Sequence, residues 1–193
     1  MQLNILNKKT LIKQVRDVMT MKYKNALFVG RFQPFHKGHL FAIEHILSES
    51  EFLFIGLGSS NKSHEERNPF TAAERIQMIK AALDGAKIDP KRWMVIPIPD
   101  MTSHYLWTKM VKMLIPKFEI VFSNDPLTLK LFEEENIPTK EVPLERRKRL
   151  MATEIRRRIL TGDSWKELVP EPVYDLIKEF NGEERIIEIN RTK

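Results

Sequence analysis

From Ala26 onward the chain alternates short apolar runs with longer stretches whose apolar residues recur at helical intervals, and that alternation leaves few folds open. Strands are expected at Ala26 to Val29, Phe52 to Leu57, Met94 to Pro97, Ile120 to Ser123 and Lys140 to Val142. Helices are expected between and after them at Leu40 to Leu47, Ala72 to Leu83, Tyr105 to Ile115 and Leu127 to Glu135. Repeated βα units of this kind close into an α/β domain with a mostly parallel sheet of about five strands and helices on both faces.

Local chemistry marks where the helices begin. Thr71 with Glu74 reads as a capping box, Pro126 after Asp125 as a first-turn proline, and Thr153 as the cap of a further helix. Each start lies just past a strand exit. In an open parallel sheet, ligands bind beside such starts, at the carboxyl ends of the strands.

Several function classes fall away on composition. The 193 residues include no cysteine, so disulfides, thiolate–zinc sites and thiol nucleophiles are excluded. No apolar stretch approaches the roughly 20 residues that cross a bilayer, which reads as a soluble, cytoplasmic protein with no membrane role. The net charge of +6 suggests anionic partners, whether nucleic acid, a membrane surface or phosphorylated small molecules. Met1 to Lys22 mixes apolar and basic residues without a signal peptide's continuous apolar block, and reads as an N-terminal extension. Met19 and Met21 offer alternative starts of translation, in which case this segment is no part of the fold. Residues 23–193 then read as one domain with a helical C-terminal part.

The first strand exits into Gly30, Arg31, Phe32, Gln33, Pro34, Phe35, His36, Lys37, Gly38 and His39. Two imidazoles three residues apart at a helix start can face one ligand, while Gly30 and Gly38 leave room for a polyphosphate and Arg31 and Lys37 add positive charge. The plain alternative is a tight turn with a helix-capping histidine. A metal shared by the two histidines is another, but the loop holds no further Cys, His or carboxylate, so no protein metal site is expected. Gly56 and Gly58 give only a fragment of a dinucleotide fingerprint, because Asn61 stands at the third glycine's place, and no Walker sequence is present.

Gly30 to His39 resembles the Gly-Arg-Phe-Gln-Pro-x-His-x-Gly-His signature of Rossmann-like nucleotidylyltransferases, and the extended pattern is similar to archaeal-type nicotinamide mononucleotide adenylyltransferases. Gly58 and Ser59, Arg67 to Thr71, Asp100 with Trp107, and Thr153 with Arg156 look like that family's later motifs and occur in its order. The resemblance implies transfer of AMP from ATP to nicotinamide mononucleotide, giving NAD and pyrophosphate. It implies Mg2+ bound through the ATP phosphates and a homo-oligomer such as a hexamer; no nucleic-acid partner is expected, since the sequence shows no recognition motif or interleaved aromatic stripe.

The residue roles follow from the same resemblance. His36, His39 and Arg156 are the catalytic set. Gly30, Arg31, Phe32, Gln33, Gly38, Arg67, Asn124 and Thr153 are expected on ATP, and Gly58, Ser59, Asp100, His104 and Trp107 on the mononucleotide. Trp107, opening its helix, would stack on the nicotinamide ring; burial in the core is the alternative. Arg156, Arg157 and Arg158 would crowd the first turn of a helix capped by Thr153, where cations are unfavourable unless an anion sits in front. At least one of Arg157 and Arg158 reads as a solvated cation.

Where the family often has an asparagine three residues before the tryptophan, this chain has His104, and Asn124 and Asp125 precede Pro126 in place of Gly-Asn. His104 keeps open a second reading, the same chemistry on another phosphorylated acceptor. The run Arg146 to Arg149 permits a third, a nucleic-acid-binding module, although no recognition motif accompanies it.

Overall fold

The structure, a computed structural model, describes residues 21–143 and 150–191. The expected N-terminal extension, Lys22 and Met21 apart, and the basic run Arg146 to Arg149 lie outside the described residues.

Strand β1 (Tyr23–Gly30) sits at the centre of a five-stranded sheet, and its alternation shows why. Ala26 and Phe28 point to one face and Leu27 and Val29 to the other, and both faces are covered. The remaining strands are β2 (Ser50–Leu57), β3 (Trp93–Pro97), β4 (Ile120–Phe122) and β5 (Thr139–Lys140). All pair in parallel, in the order β3-β2-β1-β4-β5. The expected β5 lay slightly later. Val142 leaves the sheet because its N–H bonds to the Asn124 side chain, 3.0 Å away, and not to a neighbouring strand.

On one face, α1 (Lys37–Glu49), α2 (Ala72–Gly85) and the C-terminal helices α5 (Ala152–Thr161), α6 (Glu171–Glu179) and α7 (Gly182–Arg191) pack on Ala26, Phe28, Leu53, Ile55 and Phe122. On the other face, α3 (His104–Leu114) and α4 (Pro126–Glu134) bring Val111 and Phe132 against Leu27, Phe54 and Val121. Each fully buried Leu, Ile or Phe here stabilises the fold by about 1.5–3 kcal/mol.

Two expected caps are in place. Thr71 accepts from the Glu74 N–H while Glu74 accepts from the Thr71 N–H, and Asp125 accepts from the Thr128 N–H with Pro126 in the first turn. The strand order reverses between β1 and β4, because β1 connects to β2 on one side while the chain later returns to β4 on the other. At that switch point the strand exits splay apart and leave a crevice. Register keeps the exits level: Gly30 pairs with Leu57, and the Gly58 N–H reaches the Gly30 carbonyl at 2.9 Å.

Candidate active site

The β1 exit is built around Phe32, whose backbone lies in the left-handed region at φ 52° and whose ring is buried. Such a conformation costs a non-glycine residue roughly 1–3 kcal/mol and persists only where its surroundings fix it. Here the ring fixes it, meeting the His39 imidazole at a tilt with centroids 4.7 Å apart. The two glycines make room for this packing, and both also border the cavity described below. A Cβ on Gly30 would stand 2.8 Å from the Phe32 ring, and one on Gly38 would stand 3.0 Å from the His36 ring.

His36 is the N-cap of α1 and His39 its third helical residue. The His39 N–H donates to His36 Nδ1 and the His36 N–H donates to His39 Nδ1, both at 3.2 Å. The rings stack with centroids 3.5 Å apart. This is a capping box made of imidazoles, so the capping alternative and the ligand-facing alternative describe one arrangement. A ring nitrogen that accepts from a backbone amide carries no proton, so each neutral imidazole holds its proton on Nε2. Burial pushes the His36 pKa down to about 3, and burial together with the neighbouring His36 pushes His39 well below the ordinary histidine value. The pair is thus two uncharged Nε2–H donors side by side.

Both histidines line a cavity of about 360 Å³, together with Gly30, Arg31, Phe32, Gln33, Gly38, Asn124, Thr153 and Arg156. Every residue expected on ATP borders this one cavity except Arg67. Arg67 is exposed at the tip of a turn closed by reciprocal Glu65 and Asn68 backbone bonds. Its charge still acts on the cavity: burial, Arg31 and Arg67 together lower the pKa of the Arg156 guanidinium, against the opposing pull of Glu66. Two guanidinium groups on the cavity wall, with the charge of Arg67 added from outside it, suit a polyanion. The Gln33 side chain faces away from any ligand, since its amide donates to the Phe70 carbonyl and accepts from the Phe70 N–H.

Arg156 donates to the Gln33 carbonyl at 2.7 Å, tying α5 to the β1 exit across the cavity. The start of α5 differs from expectation. Met151 is the N-cap, with no side-chain bond, and Thr153 lies inside the helix. The acid in the first turn is Glu154, which places the three arginines in the second turn. These cations therefore do not oppose the helix dipole, whose effect is confined to the first turn. Arg157 and Arg158 both bond Glu154, and they reach Asp163 and Glu167 respectively, so Arg156 alone of the three turns to the cavity.

A second cavity of about 630 Å³ adjoins the first, sharing Val29, Gly30, Arg31 and Asp125. Gly58, Ser59, Asp100, His104 and Trp107, the residues expected on the mononucleotide, all line it. Ser59 is the second left-handed residue, at φ 49°, and its hydroxyl donates to Asp100 at 3.0 Å. Asp100 in turn donates its own N–H to the Asn61 side-chain oxygen at 2.9 Å. Trp107 does not open α3, which starts at His104. Its ring is half-buried, edge-on to Phe132 at 5.8 Å, and it also borders the cavity, so core packing and ligand contact are both available to it.

Three further residues were not assigned to the site from the sequence, Asp125 having entered only as a helix start and a departure from the family's pattern. Asp125 borders both cavities and Lys62 the second. Arg75 is fully buried behind the strand exits. A signal for it existed: Arg75, Met78, Ile79, Ala82 and Leu83 fall on one helical stripe, the buried face of α2.

Among the described residues no group of three His, Cys, Asp or Glu side chains could hold a metal ion, and no helix is long and apolar enough to cross a membrane.

Comparison with known proteins is consistent with this geometry. The cytidylyltransferase-like family model matches residues 27–158. The nicotinamide-nucleotide adenylyltransferase of Thermococcus kodakarensis is 43% identical over 163 residues, covering 84% of this chain and 87% of that protein. The enzyme of the same name from Methanolobus tindarius is 40% identical over 169 residues, 88% of this chain and 96% of its own. Among solved structures, a bifunctional NMN adenylyltransferase/ADP ribose pyrophosphatase from Francisella tularensis, complexed with AMP and a manganese ion, superposes with a TM-score of 0.72 at 25% identity. The match covers 88% of this chain but 53% of that one, so the chain spans about half the length of the bifunctional protein.

Proposed function

The chain belongs to the cytidylyltransferase-like family and, within it, to the nicotinamide-nucleotide adenylyltransferases, and on that premise we propose that it joins the AMP half of ATP to nicotinamide mononucleotide. The products are NAD and pyrophosphate. The observation that carries this reading is the meeting of two cavities at Arg31 and Asp125, one bordered by the imidazole pair and Arg156, the other by Trp107.

The acceptor's phosphate is anionic at neutral pH and needs no general base. One of its oxygens attacks the α-phosphorus of ATP, a new P–O bond forms, and the bond to the bridging oxygen breaks to release pyrophosphate. What the protein supplies is alignment and charge stabilisation, the main contributions to phosphoryl-type transfer. The two Nε2–H groups of His36 and His39 donate to oxygens whose charge grows as the bridging bond lengthens, and Arg156 draws the same charge from the far wall. Gly30, Arg31, Phe32, Gly38, Asn124 and Thr153 border the ATP, with Gln33 contributing through its backbone and Arg67 through its charge. Gly58, Ser59, Asp100 and His104 border the mononucleotide, and its ring lies against Trp107.

Mg2+ bound through the ATP phosphates would neutralise part of the transferring charge. The residues present suit that arrangement, since among the described residues Asp125 is the only carboxylate bordering the first cavity and gives no cage of its own. We place the enzyme in the cytoplasm, as one domain over 23–193, with no nucleic-acid or membrane partner. Assembly of identical copies, as a hexamer, belongs to the same reading, and Tyr105, Leu106, Met113 and Leu114, exposed on α3, support it.

The test is direct: purified protein with ATP, Mg2+ and nicotinamide mononucleotide, followed by chromatography of NAD and a pyrophosphate assay, with a panel of other phosphorylated acceptors alongside. NAD and pyrophosphate should appear in equal amounts. No NAD above background, or faster reaction with another acceptor, would overturn the proposal.

A further inference from the structure

Arg75 lies in the first turns of α2, fully buried, beneath the point where the β1 and β2 exits meet. The hydrogen bonds of its guanidinium go to backbone carbonyls. Nη1 donates to Arg31 at 2.8 Å and to Gly58 at 2.9 Å, Nη2 to Ser59 at 3.1 Å, and Nε to Thr71 at 3.2 Å. Burial lowers its pKa to about 10, against the pull of the Asp100 and Glu74 carboxylates and with Arg31 adding to the fall, so it remains cationic at neutral pH. A buried cation whose hydrogen bonds, among the described residues, go to carbonyls and not to a contacting carboxylate is expensive to maintain as mere packing.

The choice of carbonyls is informative. Arg31 borders both cavities and immediately precedes Phe32, the left-handed residue of the first exit. Gly58 and Ser59 border the second cavity, and Ser59 is the left-handed residue of the second exit. One rigid fork thus fixes both unusual turns relative to each other. The walls of the first cavity have separate supports, the imidazole capping box and the Arg156–Gln33 bond.

We infer that Arg75 is a positioning residue that sets the mononucleotide's cavity in line with the ATP cavity by clamping the Arg31, Gly58 and Ser59 carbonyls. The inference rests on the adenylyltransferase reading. It predicts a one-sided defect. A lysine at this position keeps the charge, but its single ammonium has no planar fork to span carbonyls from two loops.

Arg75→Lys should therefore lower kcat/KM for nicotinamide mononucleotide by roughly 100-fold, the scale of an ångström-sized misalignment, while KM for ATP stays within about twofold. A comparable rise in KM for both substrates would mean that Arg75 only holds the fold together, and unchanged activity would mean that charge alone matters; either result overturns the inference. A wild-type protein that makes no NAD would instead defeat the functional reading itself. Should Arg75→Lys not fold, hydrogen–deuterium exchange on the wild-type protein decides the matter. Amides over 58–61 should exchange slowly before any ligand is added, and fast exchange there, slowed only by nicotinamide mononucleotide, would show that the loop is not clamped.

Discussion

A histidine that caps a helix through Nδ1 cannot take a proton there without breaking the cap, and this makes the protein's stability depend on pH in a defined way. Below its ordinary pKa of about 6.5, His36 in the unfolded chain binds a proton that the folded chain refuses until about pH 3. The unfolded state then binds more protons, so folding stability falls as pH falls, beginning near pH 6.5 and ending near pH 3. Between about pH 7.5 and about pH 5, the loss from one such histidine is about 2 kcal/mol. That figure depends on the unfolded pKa and only on the folded group staying neutral at pH 5. His39 adds in the same direction.

The clean test is His36→Asn. Asparagine is among the preferred N-caps, so its side-chain oxygen can still accept from the His39 N–H while carrying no titratable proton. Urea unfolding of both proteins at the two pH values should show the wild type losing about 2 kcal/mol more than the variant, since every other titrating group is common to both. Equal losses would refute the neutral, cap-locked imidazole, and with it the assignment of Nε2–H as the free donor.

Other consequences can be checked more briefly. His39→Ala should reduce kcat by about 100- to 1000-fold with a far smaller change in KM, as expected on removing a donor to developing charge, and steady-state kinetics with both substrates would reveal unchanged turnover if the role is wrong. Trp107→Ala should weaken the mononucleotide by about 1–3 kcal/mol through lost stacking, whereas Trp107→Phe, which keeps a ring against Phe132, should weaken it less; calorimetric titration with nicotinamide mononucleotide separates these. Gln33→Ala strands both the N–H and the carbonyl of Phe70 in the interior, and should cost about 2–4 kcal/mol in urea unfolding.

Much of the fold was legible because a parallel sheet buried on both faces writes each strand as an apolar run. Strand edges were less legible: β1 begins at Tyr23, three residues before its expected start, where Lys24 and Asn25 interrupt the apolar pattern although backbone pairing continues. The caps at Thr71 and Asp125 could be read because their partners lie within one turn. Thr153 misled for the same reason, being a good cap by type in a place where the helix had already begun at Ala152. Within the site, the motif residues were visible as types, but their division of labour was not. That Gln33 would face Phe70, 37 positions away, or that Arg75 would reach Arg31 across 44, depends on distant carbonyls that no local pattern records. The interleaved arginines of α5 were separable only once Glu154, Asp163 and Glu167 had claimed two of them.

The open seam along Val29, Gly30, Arg31 and Asp125 bears on what happens after the new bond forms. A dinucleotide bridging that seam is one ligand with two anchors, and while either anchor holds, the other end stays at a high effective concentration near its own berth. Departure then requires both ends to let go within the same brief interval, so the molecule made here is retained more firmly than either precursor.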